Sequence, residues 1–113
     1  MRLEVQKYLF DIQRAAGLLT EFTAGNTFDD YAQNPMMRAA VEREFEVIGE
    51  ALSRLAKLDE DLAARISEYR RIIAFRNILI HGYTEVDDRL VWDIVEAKLP
   101  ILSREINELL SGT

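Results

Sequence analysis

Residues 34–58 read NPMMRAAVEREFEVIGEALSRLAKL, and the fold class turns on them. Apolar side chains return at Met37, Ala40, Val41, Phe45, Ile48, Ala51, Leu52, Leu55 and Leu58. Steps of three and four put them on one face of an α-helix. Asn34 can accept backbone N–H bonds as an N-cap, and Pro35 suits the first helical position, where no N–H partner is needed. The spacing predicts a helix of about 25 residues, near 37 Å long at roughly 1.5 Å per residue.

The same period governs the sequence on either side. Upstream, Val5, Tyr8, Leu9, Ile12, Ala15, Ala16, Leu19 and Phe22 form a stripe over about residues 3–22, ended by Ala24-Gly25-Asn26. Thr27 to Gln33 reads as a connection with a short turn around Phe28 and Tyr31. Downstream, Asp59 to Ile66 reads as a short helical connector. Ser67 then caps a third helix, with Glu68 in its first turn. Ile72, Ile73, Phe75, Ile78, Leu79 and Ile80 are dense enough to imply that this helix is largely buried, and Gly82 is its C-terminal cap. A fourth helix follows Thr84 or Asp87 as cap and runs through Leu90, Ile94, Leu99, Leu102, Ile106 and Leu109, with a kink expected at Pro100. Four amphipathic segments with short connections predict an all-α fold, an antiparallel four-helix up-and-down bundle with a short helical connector, as one domain over residues 1–113. The second and fourth helices are long for so small a chain, and their surplus apolar surface suggests a homodimer.

Composition narrows the function classes. The 113 residues hold no cysteine and one histidine, His81, which excludes disulfides, zinc–cysteine sites and thiol nucleophiles, and leaves no expected metal or cofactor. No apolar run approaches the roughly 18 residues of a membrane span, and the N-terminus lacks a signal-peptide core, so a cytoplasmic protein is expected. The net charge of −6 argues against a nonspecific nucleic-acid binder. Between Arg65 and Tyr83, however, four arginines face one glutamate, a local surplus of three positive charges between acidic flanks.

That basic segment contains Phe75-Arg76-Asn77-Ile78-Leu79-Ile80-His81-Gly82-Tyr83. Asn77 and His81 share a helix face, Arg76 lies roughly 140° from His81 on an ideal helix, and Tyr83 follows just past the end. Arginine binds phosphate bidentately, histidine moves protons near neutral pH, and asparagine can orient the histidine or the phosphate. RNA carries its own nucleophile, the 2′-hydroxyl, so its cleavage needs proton transfer and charge stabilisation rather than a metal. The residues alone also allow a histidine that only caps its helix and an Arg-Asn pair that only joins helices. Arg43, Glu50, Arg70 and Arg71 could assist as support for the site or as contacts to RNA backbone; plain polar surface roles are equally open. Gly49 is expected to permit close helix approach, and Trp92 reads as packing rather than as a base platform.

The spacing of Arg76-Asn77, His81 and Tyr83 resembles the Arg-x-x-x-x-His-x-Tyr signature of HEPN domains of the HepT type. So do Tyr8-Leu9-Phe10-Asp11-Ile12, Ala40-Val41-Glu42-Arg43, Ile48-Gly49-Glu50-Ala51, Val86-Asp87, Trp92 and Leu99-Pro100, in order along nearly the whole chain. The family often carries Pro and Trp before the third helix, where this chain has Ser67-Glu68-Tyr69; Tyr69 stands in for the Trp. The resemblance implies a homodimer of helical bundles with the motifs in a shared cleft. It implies metal-independent RNA cleavage by Arg76 and His81, supported by Asn77 and Tyr83. It also implies a toxin whose nucleotidyltransferase antitoxin, of the MntA type, transfers AMP to Tyr83. The competing expectation is a noncatalytic helical module that docks on, or is modified by, such a nucleotidyltransferase.

Overall fold

A computed structural model describes residues 1–82 and 86–112. Among them every regular element is a helix: α1 (Leu3–Thr23), α2 (Phe28–Ala32), α3 (Pro35–Leu58), α4 (Glu60–Ala63), α5 (Tyr69–His81), α6 (Asp88–Ala97) and α7 (Leu99–Leu110). The all-α expectation holds, and the apolar stripes of α1 and α3 face the core as their period requires: Leu9, Ile12, Leu19, Ile48, Leu52 and Leu55 are fully buried.

Local chemistry sets the element ends. The Asn34 side chain accepts the Met37 N–H at 3.0 Å, with Pro35 in the first turn, as the sequence indicated. Gly25 takes φ +75°, the left-handed turn that releases α1. Asp59 caps α4 through the Leu62 N–H, and Asp87 caps α6 through Arg89 and Leu90. In the connection after α1, Thr27 and Asp30 form a reciprocal capping box (3.2 and 2.9 Å), which turns the expected turn into helix α2.

Three expectations are corrected. Ser67 does not cap α5: its N–H and hydroxyl donate to Glu105 of α7, at 2.9 and 2.6 Å. Glu68 is the capping position instead, at φ +56°, and its carboxylate meets Lys98 and Arg71 at 2.9 and 3.1 Å. The predicted fourth helix is two helices rather than one kinked rod. Pro100 has no N–H to give to a ladder, so α6 closes with the Lys98 N–H on Ile94 O and α7 reopens with Leu102 N–H on Lys98 O. Finally, α5 is not largely buried. Only Phe75 and Leu79 are enclosed, and Ile78 is 49% exposed.

The reason lies in the packing. Helix α3 sits between α1 and α5, and α1 also packs against α7. Arg2 at the start of α1 donates to Leu58 O at the end of α3 (2.6 Å), so those two helices run antiparallel, and Gln13–Asn107 (2.8 Å) ties α1 to α7. Phe45 and Phe75 meet edge to face at 5.4 Å and pin α5 to α3. Tyr31 and the buried Trp92 stack at 5.3 Å and join α2 to α6, which gives Trp92 the packing role read from sequence. The body measures 42 × 29 × 19 Å, about two helices deep at roughly 10 Å each, so no third layer covers α5. Its outer side is an apolar groove of about 350 Å³, where Ile72, Phe75 and Ile78 face Leu90, Ile94 and Leu102.

Near Tyr31 lies a carboxylate in an unfavourable setting, Glu42. Burial pushes the Glu42 carboxyl above its ordinary range, and the nearby Asp88 and Glu46 add to this against the pull of Arg38. A raised carboxylate favours folding at low pH, and that contribution is lost as pH rises from the unfolded value through the folded one. Glu42→Gln is therefore expected to raise the melting temperature at neutral pH, by at most about 3 °C for so partly exposed a group. The gain should shrink as the pH is lowered through the carboxylate range. Thermal melts of both proteins at pH 4 and pH 7 check this; a destabilised variant at pH 7 would refute it.

Candidate active site

The site is set by where α3 crosses α5. Gly49 makes the crossing close: a Cβ there would fall 2.2 Å from Arg76 Cβ and 2.7 Å from its Cγ. The close approach inferred from sequence is thus realised against Arg76 itself. With its stem pressed on Gly49, the Arg76 side chain is only 26% exposed, and its Nε is buried without a partner among the described residues. Its Nη2 donates to Glu50 Oε2 on α3, and its Nη1 donates to Asn77 Oδ1 at 2.9 Å. Asn77 therefore orients Arg76 rather than His81.

Glu50 is shared. Its Oε1 accepts from Arg54 Nε at 2.8 Å, one turn further along α3. The Arg54 hydrogen bond, and after it the charges of Arg76, Arg54 and Lys57, hold the Glu50 carboxyl below the usual carboxylate range, so it is charged at neutral pH. After Glu50, Tyr8 of α1 raises the Arg54 pKa further, and it lines the same pocket. Glu50, Arg54 and Arg76 line a pocket of about 300 Å³ whose charged rim also includes Lys7, Asp11, Arg43 and Glu46, with Tyr8, Val47, Ala51 and Ile80 as its less polar walls.

Of the candidates read from sequence, Arg76, Arg43 and Glu50 are brought together in this pocket. His81 is not among its lining residues; it stands exposed in the last turn of α5. Arg70 and Arg71 lie outside it as well. Arg70 pairs with Glu60 and reaches the Tyr69 hydroxyl, while Arg71 pairs with Glu68 and borders the apolar groove. Tyr83 lies outside the described residues. Arg54 was missed, although its spacing of four from Glu50 is a helical ion-pair signal. No helix among the described residues is long and apolar enough to cross a membrane.

Comparison with known proteins identifies the family. The model of the ribonuclease HepT-like family matches residues 12–109. A Methanocaldococcus jannaschii protein named among the RNases is 35% identical over 103 residues, covering 91% of this chain and 94% of the relative. The Thermococcus cleftensis protein named probable ribonuclease HepT is 33% identical over 109 residues, covering 96% and 98%. An RNase-named protein of Caldanaerobacter subterraneus is 30% identical over 103 residues, covering 91% of each. No solved structure matches the chain. With the family model spanning both α3 and the Arg76–His81 segment, the chain belongs to the HepT-like family of ribonucleases.

Proposed function

We propose that the chain is a metal-independent endoribonuclease toxin that cleaves RNA by attack of the 2′-oxygen on the adjacent phosphorus. The observation that carries this reading is Arg76, tied down by Glu50 and Asn77 in a pocket rimmed by charged side chains. A restrained guanidinium receives the scissile phosphate and offsets the charge that develops on it. Attack forms the 2′-oxygen–phosphorus bond and breaks the bond to the 5′-oxygen, leaving a 2′,3′-cyclic phosphate and a 5′-hydroxyl. His81, in the last turn of α5, delivers the proton to the leaving 5′-oxygen. The 2′-hydroxyl proton goes to a neutral imidazole, for which the second copy's His81 is our candidate.

The reading calls for a homodimer, because one chain turns Arg76 toward α3 while His81 stands apart from that pocket. The uncovered groove along Ile72, Ile78 and Ile94 offers a second copy an apolar seat next to His81. Neutralisation is assigned to a nucleotidyltransferase antitoxin that transfers AMP from ATP to the Tyr83 hydroxyl, with release of pyrophosphate. Tyr83 is two residues beyond His81, so the added phosphate would repel RNA at the site. One observation favours the noncatalytic docking module: Arg76 already carries an ion pair with Glu50.

The test is RNA cleavage in EDTA by protein of verified unmodified mass, beside His81→Ala. Cleavage to cyclic phosphate ends that falls about a hundredfold or more in the variant is expected. No cleavage by unmodified dimer, or cleavage indifferent to His81, sinks the enzyme reading at this site and leaves the docking module.

A further inference from the structure

We propose that Glu50 is the positioning residue for the Arg76 guanidinium, and that Arg54, by sharing the same carboxylate, keeps that tether from cancelling the charge it holds. The inference rests on the reading of Arg76 as the phosphate-binding group.

The geometry leaves Arg76 little freedom. Gly49 fixes the start of its side chain, and Nε is turned inward. A guanidinium has five N–H bonds directed as a fork. Glu50 occupies one on Nη2, Asn77 one on Nη1, and the Nε–H is enclosed. What remains is one N–H on each terminal nitrogen, free to donate to phosphate oxygens. Glu50 thus selects the edge that Arg76 presents.

A carboxylate spent wholly on Arg76 would weaken its pull on a phosphate. Here the two oxygens are divided: Oε2 holds Arg76 and Oε1 holds Arg54. Two cations on one anion leave a net positive charge at the mouth of the pocket. Tyr8 of α1 lines the same pocket, so α1, α3 and α5 all contribute to it.

The two residues should fail differently. Glu50→Gln keeps an oxygen acceptor but no charge, and Glu50→Ala keeps neither. We expect kcat to fall about tenfold in the first and further in the second, with the KM for RNA nearly unchanged. Arg54→Gln should instead raise KM several-fold and flatten the salt dependence of RNA binding, with kcat largely kept. A second readout needs no catalysis: the Arg76 side-chain N–H signals of the RNA-free protein, followed by NMR, should exchange faster in Glu50→Gln. Glu50 is partly exposed, so the variants should fold, and melting curves are the check. A wild-type kcat in both Glu50 variants, or Arg76 signals unchanged by Glu50→Gln, overturns the positioning role. If instead Arg76→Ala itself cleaves normally, the reading of the site fails, and that result is separate from anything Glu50 does.

Discussion

Arg76→Ala is expected to reduce RNA cleavage by a factor of about a hundred to a thousand, the usual cost of removing a donor that meets charge forming in the transition state. Arg76→Lys should recover little of it. A lysine carries the charge as a point on a flexible stem and cannot offer paired N–H bonds, nor can it hold Glu50 and Asn77 at once. The fold should survive either change. The ion pair is partly exposed, Glu50 keeps Arg54, and the buried Nε that lacks a partner is removed. Single-turnover cleavage with matched melting curves separates the two effects. Activity retained in Arg76→Ala would remove this residue from the chemistry.

The largest structural effect is expected at Gly49. Alanine is the better helix former by about 1 kcal/mol, yet at this position its methyl would meet the Arg76 stem at less than van der Waals distance. Neither α3 nor α5 can give way cheaply, since Phe45 and Phe75 lock the same crossing. Gly49→Ala should therefore lose roughly 1–3 kcal/mol of stability. It should also lose most cleavage, because α5 must move off α3 and carry the guanidinium with it. Gly17 is the control. It lies on the exposed side of α1 with nothing within 4 Å of an added Cβ, so Gly17→Ala should gain about 0.5–1 kcal/mol and cleave RNA as before. Denaturant unfolding of the two variants decides the matter. A Gly49→Ala protein as stable as the Gly17→Ala one would show that the crossing is looser than the structure describes.

These cases show what a linear reading can reach. The helical class, the Asn34–Pro35 start of α3, the Asp87 cap and the packing role of Trp92 follow from periods and caps, which are local. Helix α2 escaped because its capping box spans only four residues, Thr27 to Asp30. The burial of α5 was overstated because a run of isoleucines tells how much apolar surface a helix carries, not how many neighbours it has. The place of Ser67 depended on Glu105, 38 residues away, which no period reveals. At the site, Arg76, Glu50, Gly49 and Arg43 were legible as candidates. The sharing of Glu50 with Arg54 depends on which side of α3 faces α5, and Asn77 turned to Arg76 rather than to His81.

The position of α5 on α3, with its other side uncovered, has a consequence for local stability. An element held mainly along one seam opens at a lower free-energy cost than one enclosed by several, so amides of α5 should exchange hydrogen through partial openings while those of α1 and α3 wait for global unfolding. The segment bearing Arg76 and His81 is then less protected than α1 and α3. Whatever settles against it, a second copy or an RNA strand, is linked to that opening and draws part of its binding free energy from closing it. On that footing the ordering of the site and the occupation of the site become one equilibrium, tuned by concentration rather than fixed by the fold.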